Sequence, residues 1–208
     1  MKKRKLNKKK IFILILLVIV LIFSLYFVFT TKKESSKSKE VKEVDNISDF
    51  GYSLSENSTK YYKSLFNELK KVLSADSVDN DKYAEIVGKM FVCDFFNLDN
   101  KSSKNDVGGT QFVYSDYVLD FSKYAMDSIY KSVLSNVYGD RKQELPIVTD
   151  VTISDLKNEG FTYGDKKDDN AYVMNFEITY KEDMGYQTSG SLVLIHSGDK
   201  LEVAQMSE

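Results

Sequence analysis

The chain has no tryptophan, and only one cysteine, one proline and one histidine among its 208 residues. Each scarcity excludes something. With Cys93 alone no internal disulfide can form, so the small secreted modules that depend on such staples are a poor match. One thiolate cannot build a zinc cage, and His196 has no second imidazole with which to make a histidine-rich metal site. No metal and no cofactor are expected. Two loop motifs that bind ions are also incomplete. Asp165, Asp168 and Asp169 lack the D-x-D-x-D-G spacing of a calcium loop and the glutamate at its twelfth position, so they read as a solvated hairpin tip. Gly108-Gly109 is not followed by the Lys-Ser/Thr of a phosphate loop and reads as a turn or a helix entry.

Positive charge is scarce beyond the first ten residues. Lys and Arg number 29 against 31 Asp and Glu, but Lys2, Lys3, Arg4, Lys5, Lys8, Lys9 and Lys10 precede Ile11, which leaves 22 against 31, or −9, from there onward. Such a balance lacks the basic stripe that phosphate neutralisation requires, so no nucleic acid partner is expected. Directly after the basic leader comes a run of twenty uncharged residues, Ile11 to Thr30, IFILILLVIVLIFSLYFVFT. As a helix it would span about 30 Å, the thickness of a bilayer core. The cationic flank places Met1 in the cytoplasm and the C-terminus outside. A cleaved signal peptide needs a shorter apolar core and a small-x-small site; this run ends in the bulky Tyr26-Phe27-Val28-Phe29-Thr30 with no lipobox cysteine after it. The expectation is an uncleaved, single-pass signal anchor in the cell membrane, with the lipid bilayer as a partner and late cleavage as the rival reading. The richness in Lys, Asn, Asp, Ile and Tyr points to an AT-rich genome and, with the anchor, to a bacterial cell envelope.

Four segments result: a cytoplasmic basic leader (1–10), a transmembrane helix (11–30), a flexible polar stalk (31–55) and an extracellular domain (56–208). The stalk is charged and Ser-rich and cannot bury enough surface to offset its ordering entropy, apart from a short helical stretch near Val41 to Ile47. In the domain, apolar residues recur every three or four positions over Ser58 to Leu73, Asp79 to Phe96 and Ser115 to Val137, which predicts three amphipathic helices. After Arg141 the period changes to two. Tyr172, Met174, Phe176, Ile178 and Tyr180 alternate with polar neighbours, and Leu145 to Ser154, Gln187 to His196 and Lys200 to Met206 read as further strands, with Gly160 to Tyr163 as a short extra piece. Ser197-Gly198-Asp199 makes a tight hairpin and Asp183 to Gly185 a looser one. The fold class is α+β: a single N-terminal transmembrane helix, then three helices packed on a curved antiparallel sheet of about four strands.

This layout resembles the membrane-anchored members of the nuclear-transport-factor-2-like superfamily, cone-shaped domains that include the bitopic assembly factors of type IV secretion and conjugation machines. The strings that carry the resemblance best are Phe91-Val92-Cys93-Asp94-Phe95-Phe96-Asn97-Leu98 and Asn105-Asp106-Val107-Gly108-Gly109-Thr110-Gln111-Phe112-Val113-Tyr114, which are similar to a stretch in anchored proteins of low-GC Gram-positive bacteria. No activity comes with those strings. Enzymes of the superfamily place Asp, Tyr or His in a pocket between helices and sheet, and that analogy marks Asp94, Tyr114, Tyr117 and Tyr180 as the pocket residues to inspect.

From the residues themselves, catalysis is not expected. Cys93 sits in an apolar helix between Val92 and Phe95 and reads as an inert packed thiol rather than half of a dyad with His196. Fourteen tyrosines without tryptophan supply surface whose rings are buried while the hydroxyls stay wet. The leading expectation is a non-enzymatic interaction or assembly module that pairs with itself, as a homo-oligomer, or with other protein partners in the envelope. A ligand-binding or sensory domain using the pocket between helices and sheet is the alternative, and a hydrolase or isomerase using Asp94 or tyrosines there is the third.

Overall fold

The computed structural model describes residues 42–208. They open with a hairpin, β1 (Glu43–Ile47) and β2 (Tyr52–Ser55). Three helices come next: α1 (Lys60–Leu73), α2 (Asn80–Phe96) and α3 (Val118–Asp127). Two short 3-10 turns, Thr110–Phe112 and Ser115–Tyr117, precede α3, and four strands complete the chain: β3 (Val148–Tyr163), β4 (Lys166–Tyr180), β5 (Ser189–Ser197) and β6 (Lys200–Ser207). The sheet is an antiparallel meander in the order β3-β4-β5-β6. The protein is therefore α+β.

Two features of the expected architecture are corrected. No helix of the described residues is long and apolar enough to cross a membrane, and the run Ile11 to Thr30 lies outside them. Residues 43–55, expected as the end of a flexible stalk, are the β1-β2 hairpin. Local composition hides this strand pair because its stability is supplied from afar. The Tyr52 ring is wholly buried, and its hydroxyl meets Tyr83 Oη at 2.7 Å and donates to the Leu201 carbonyl at 2.8 Å.

α1 starts where Thr59 accepts the Tyr62 N–H, and it buries Tyr62, Leu65, Phe66 and Leu69, one stripe at the helical period. Lys70 and Lys71 in its last turn oppose the negative end of the helix dipole. α2, capped by Asp79, is buried nearly all round from Tyr83 to Phe96, so it is a central helix rather than an amphipathic one. Phe66 and Leu69 of α1 belong to the same core, as do Met174, Phe176 and Leu192 of the sheet. Gly88 permits the approach to the sheet: a Cβ there would lie 2.6 Å from Met174 Sδ. The third expected helix, Ser115 to Val137, is shortened to α3 because the chain turns at Ser128 to insert Tyr130, whose hydroxyl donates to the Phe95 carbonyl at 2.6 Å and accepts the Gly108 N–H at 3.0 Å.

On β4 the alternation holds, with Tyr172, Met174, Phe176 and Ile178 buried toward the helices. β3 is one long strand that takes in both the expected first strand and the Gly160–Tyr163 piece. Register shifts near Val148, Ser154 and Glu159 break its period, and Asp155 adopts φ 52°. The far end of this β3-β4 hairpin joins a second, smaller core in which Tyr114, Ala171, Val193 and Ile195 are buried with Phe161 and Tyr163 beside them.

Candidate functional site

The two strings most distinctive in the sequence meet in one polar cleft. Asp94 projects from the last turns of α2. Asn97 ends that helix, and its side-chain oxygen accepts the Val148 N–H at 2.9 Å, tying the turn to the start of β3. Lys101 lies just beyond, and its ammonium reaches back to Asp94 Oδ1 at 2.5 Å. The other carboxylate oxygen accepts the Gly109 N–H at 2.7 Å. Lys101 is 5% exposed and Asp94 24%, so the pair is largely removed from water. Gly108 makes the closure sterically feasible: a Cβ at that position would stand 2.1 Å from the Asp94 carbonyl oxygen and 2.7 Å from Lys101 Nζ.

Gln111 then fastens the loop to the amino-terminal hairpin. Its Oε1 accepts the Ser53 N–H at 2.8 Å, while Nε2 donates to the Ser53 carbonyl at 3.2 Å and to Tyr62 Oη at 2.9 Å. Lys200 adds a clamp from β6, donating to the Gln111 carbonyl at 2.8 Å and to Glu202 at 3.0 Å. Between these elements lies a cleft of about 230 Å³ lined by Ser53, Ser55, Tyr62, Asp94, Lys101 and Thr110 among others. Burial, with the Asp94 charge behind it, pushes the Tyr62 phenol well above its ordinary range, so it stays neutral and offers hydrogen bonds only.

The four sequence-predicted pocket residues do not converge. Asp94 alone lines this cleft. Tyr114 and Tyr117 pack edge to face at 5.2 Å in the smaller core, where the Tyr114 hydroxyl donates to Asp116 at 2.8 Å and accepts from Lys166. Tyr180 is at the other end of β4, donating to the Gln187 carbonyl at 2.8 Å. The helix-sheet interface that the analogy marks is filled by Met90, Phe91, Phe96, Met174 and Phe176, and the open space lies beside it. No motif in the sequence singles out Tyr62, Lys101 or Gln111. Only the seven-residue interval from Asp94 to Lys101, across a helix end, hints at their pairing.

Cys93 and His196 are in separate places. Cys93 is buried in α2, and burial first, with the neighbouring Asp94 charge, pushes its thiol up to about 12. A thiol reagent is therefore expected to leave Cys93 unmodified in the folded chain at pH 8 and to label it fully once urea unfolds the protein; rapid labelling without urea would refute the packed-thiol reading. His196, at the end of β5, donates its backbone N–H to Asp168 Oδ2 at 2.8 Å and holds the same oxygen through Nδ1 at 2.9 Å. Burial works to raise the Asp168 carboxyl, but these contacts and the Asn170 N–H outweigh it and hold the group below the usual range. Among the described residues no group of three His, Cys, Asp or Glu side chains is arranged to hold a metal ion.

A second opening runs between α3 and β6, where an apolar recess of about 290 Å³ meets a larger one of about 760 Å³, of mixed polar and apolar lining, at Tyr124 and Met206. Leu119 is 84% exposed and Tyr124 73%. Both fall off the inward stripe Val118, Phe121, Ala125, of which Ala125 is buried and the other two are half-buried, and that is the one sign of this surface in the sequence. No family model, curated protein or solved structure matches the chain.

Proposed function

We propose that the protein is a non-enzymatic interaction and assembly module of the bacterial cell envelope, displayed outside the cell membrane, where it pairs with other envelope proteins or with itself. The uncharged run Ile11 to Thr30 behind seven cationic residues supports that location. The observation that carries the reading is the division of labour between the two openings. In the polar cleft the Asp94 carboxylate and the Lys101 ammonium are committed to each other and to the Gly109 N–H, so this pair holds the loop closed. On α3, by contrast, Leu119 and Tyr124 stand in solvent, with the recess along β6 beside Tyr124. Confinement near a membrane makes weak contacts effective through local concentration. A role in a conjugation or secretion apparatus fits this behaviour and the resemblance in layout.

Crosslinking the full-length chain in native membranes, followed by mild detergent extraction, tests the proposal. The expected result is recovery in discrete higher-mass adducts, and their loss when Leu119→Asp and Tyr124→Asp are introduced together. Recovery as a lone monomer in several detergents overturns it.

A ligand-binding role is the second reading, and the Tyr62 hydroxyl favours it. It accepts from Gln111 while its own proton has no hydrogen-bond acceptor among the described residues, and it lines the cleft. Small polyhydroxyl or carboxamide ligands match a lining of hydroxyls and amides, and saturation-transfer NMR against such compounds tests it.

A further inference from the structure

β6 is an edge strand, paired with β5 from Ser197↔Lys200 to Ser191↔Ser207. On its outer side the chain itself supplies one rung: Val113 forms a parallel bridge to Val203, and the Tyr114 N–H donates to the Val203 carbonyl at 2.9 Å. Beyond that rung Ala204 to Ser207 have no strand on the outer side among the described residues. Such an edge presents main-chain donors and acceptors in the spacing of a strand and templates the pairing of another extended segment. The apolar groove runs along the same stretch, with Phe121 and Tyr124 on the α3 wall and Met206 on the β6 wall. An added strand would therefore place alternate side chains into the groove.

Charge selects the occupant. The charged side chains that line the groove are Asp120 and Glu208, both acidic. Of the 29 Lys and Arg, 11 lie in 1–41, and of the 31 Asp and Glu, 2 do, so residues 42–208 carry 18 against 29, or −11. A second copy would bring another acidic edge against this one, and like charges oppose that pairing. We infer that the β6 edge and the α3 groove receive, by strand addition, an extended segment of a partner protein in which apolar residues alternate with lysine or arginine. This rests on the interaction-module reading and names the partner's chemistry.

The test uses the purified full-length chain in detergent and labelled peptides of the length of β6, 8 residues. One alternates Val with Lys, one alternates Val with Glu, and one has the first composition in two blocks, all Val and then all Lys. The alternating Val-Lys peptide is expected to bind saturably and about tenfold or more tighter than either other peptide, with Tyr124→Lys weakening it by a similar factor. Hydrogen exchange at 204–207 is expected to slow by roughly tenfold or more on binding while the β3 amides are unchanged. Equal binding of the blocked peptide, or binding that leaves 204–207 unprotected, overturns strand addition. Protection of those amides that rises with protein concentration in the absence of peptide also overturns it, in favour of a second copy. The outcomes remain separable from the parent reading, because adducts in native membranes that vanish with the Leu119 and Tyr124 substitutions would preserve an interaction surface even where the peptides fail.

Discussion

Gly108→Ala is expected to destabilise the protein by roughly 3 kcal/mol or more, a large share of a typical folding free energy. The new methyl would lie 2.1 Å from the carbonyl oxygen of Asp94 and 2.7 Å from Lys101 Nζ. The first of these is helix backbone and cannot step aside without opening the last turns of α2, which pack against the sheet. The Gly108 N–H is meanwhile held by Tyr130 Oη, itself anchored on the Phe95 carbonyl, so the loop cannot recede either. A urea titration of the purified chain, monitored by tyrosine fluorescence or near-ultraviolet circular dichroism, reads the loss. Gly160→Ala is the control. Its nearest neighbour would be the flexible Lys167 side chain at 3.5 Å, and a change within about half a kcal/mol is expected there. Equal stability of the two variants would refute the close approach.

Breaking the Asp94–Lys101 pair is expected to have the second largest effect. Lys101→Met leaves a carboxylate that is three-quarters buried without its ammonium, and Asp94→Asn leaves a more deeply buried ammonium with only a carboxamide oxygen. Each is expected to cost about 3 kcal/mol, with Asp94→Asn the worse because Asp94 also accepts the Gly109 N–H. The double variant should be more stable than the sum of the two losses implies, by about 1–3 kcal/mol, since it removes both charges together. The loss should also change little between low and high salt, because ions do not penetrate to screen a buried pair as they do a surface one. A cost below about 1 kcal/mol for both single variants would show the pair to be hydrated and peripheral.

The legible parts of the fold are those written in a local period. The β4 alternation from Tyr172 to Ile178 is read directly, since a residue's face in a strand depends only on its parity. The β5-β6 hairpin at Ser197-Gly198-Asp199 and the start of α1 at Thr59 are equally local. β3 reads as two pieces because its bulges shift the parity, and Gly160 sits unpaired at one of these shifts, with the pairing to β4 resuming at Phe161. The stripe over α3 reads too long because Ile129 and Val133 continue it. What stops the helix is Tyr130 reaching Phe95 and Gly108, and that contact has no trace in the neighbouring residues. In the candidate sites, Asp94 is visible as the lone acid in an apolar run, whereas its partners Lys101 and Gly109 lie across the helix end in a loop without a local period, and the Gln111–Ser53 clasp beside them joins distant parts of the chain.

By itself the sequence determined an α+β domain whose three helices come before its four-stranded sheet, the burial of Cys93, the lack of a disulfide, and an acidic balance behind a basic leader and a long uncharged run. These rest on composition and on periods of two and 3.6, which neighbours along the chain are enough to set. Only the tertiary structure decided that residues 43–55 are a hairpin rather than a stalk, that the helix-sheet interface is filled, that Asp94 is closed by Lys101, and that the edge of β6 lies open beside α3. Each of these depends on which distant groups meet, and the meeting is fixed by packing and hydrogen bonding across the whole domain rather than by the pattern of any one segment.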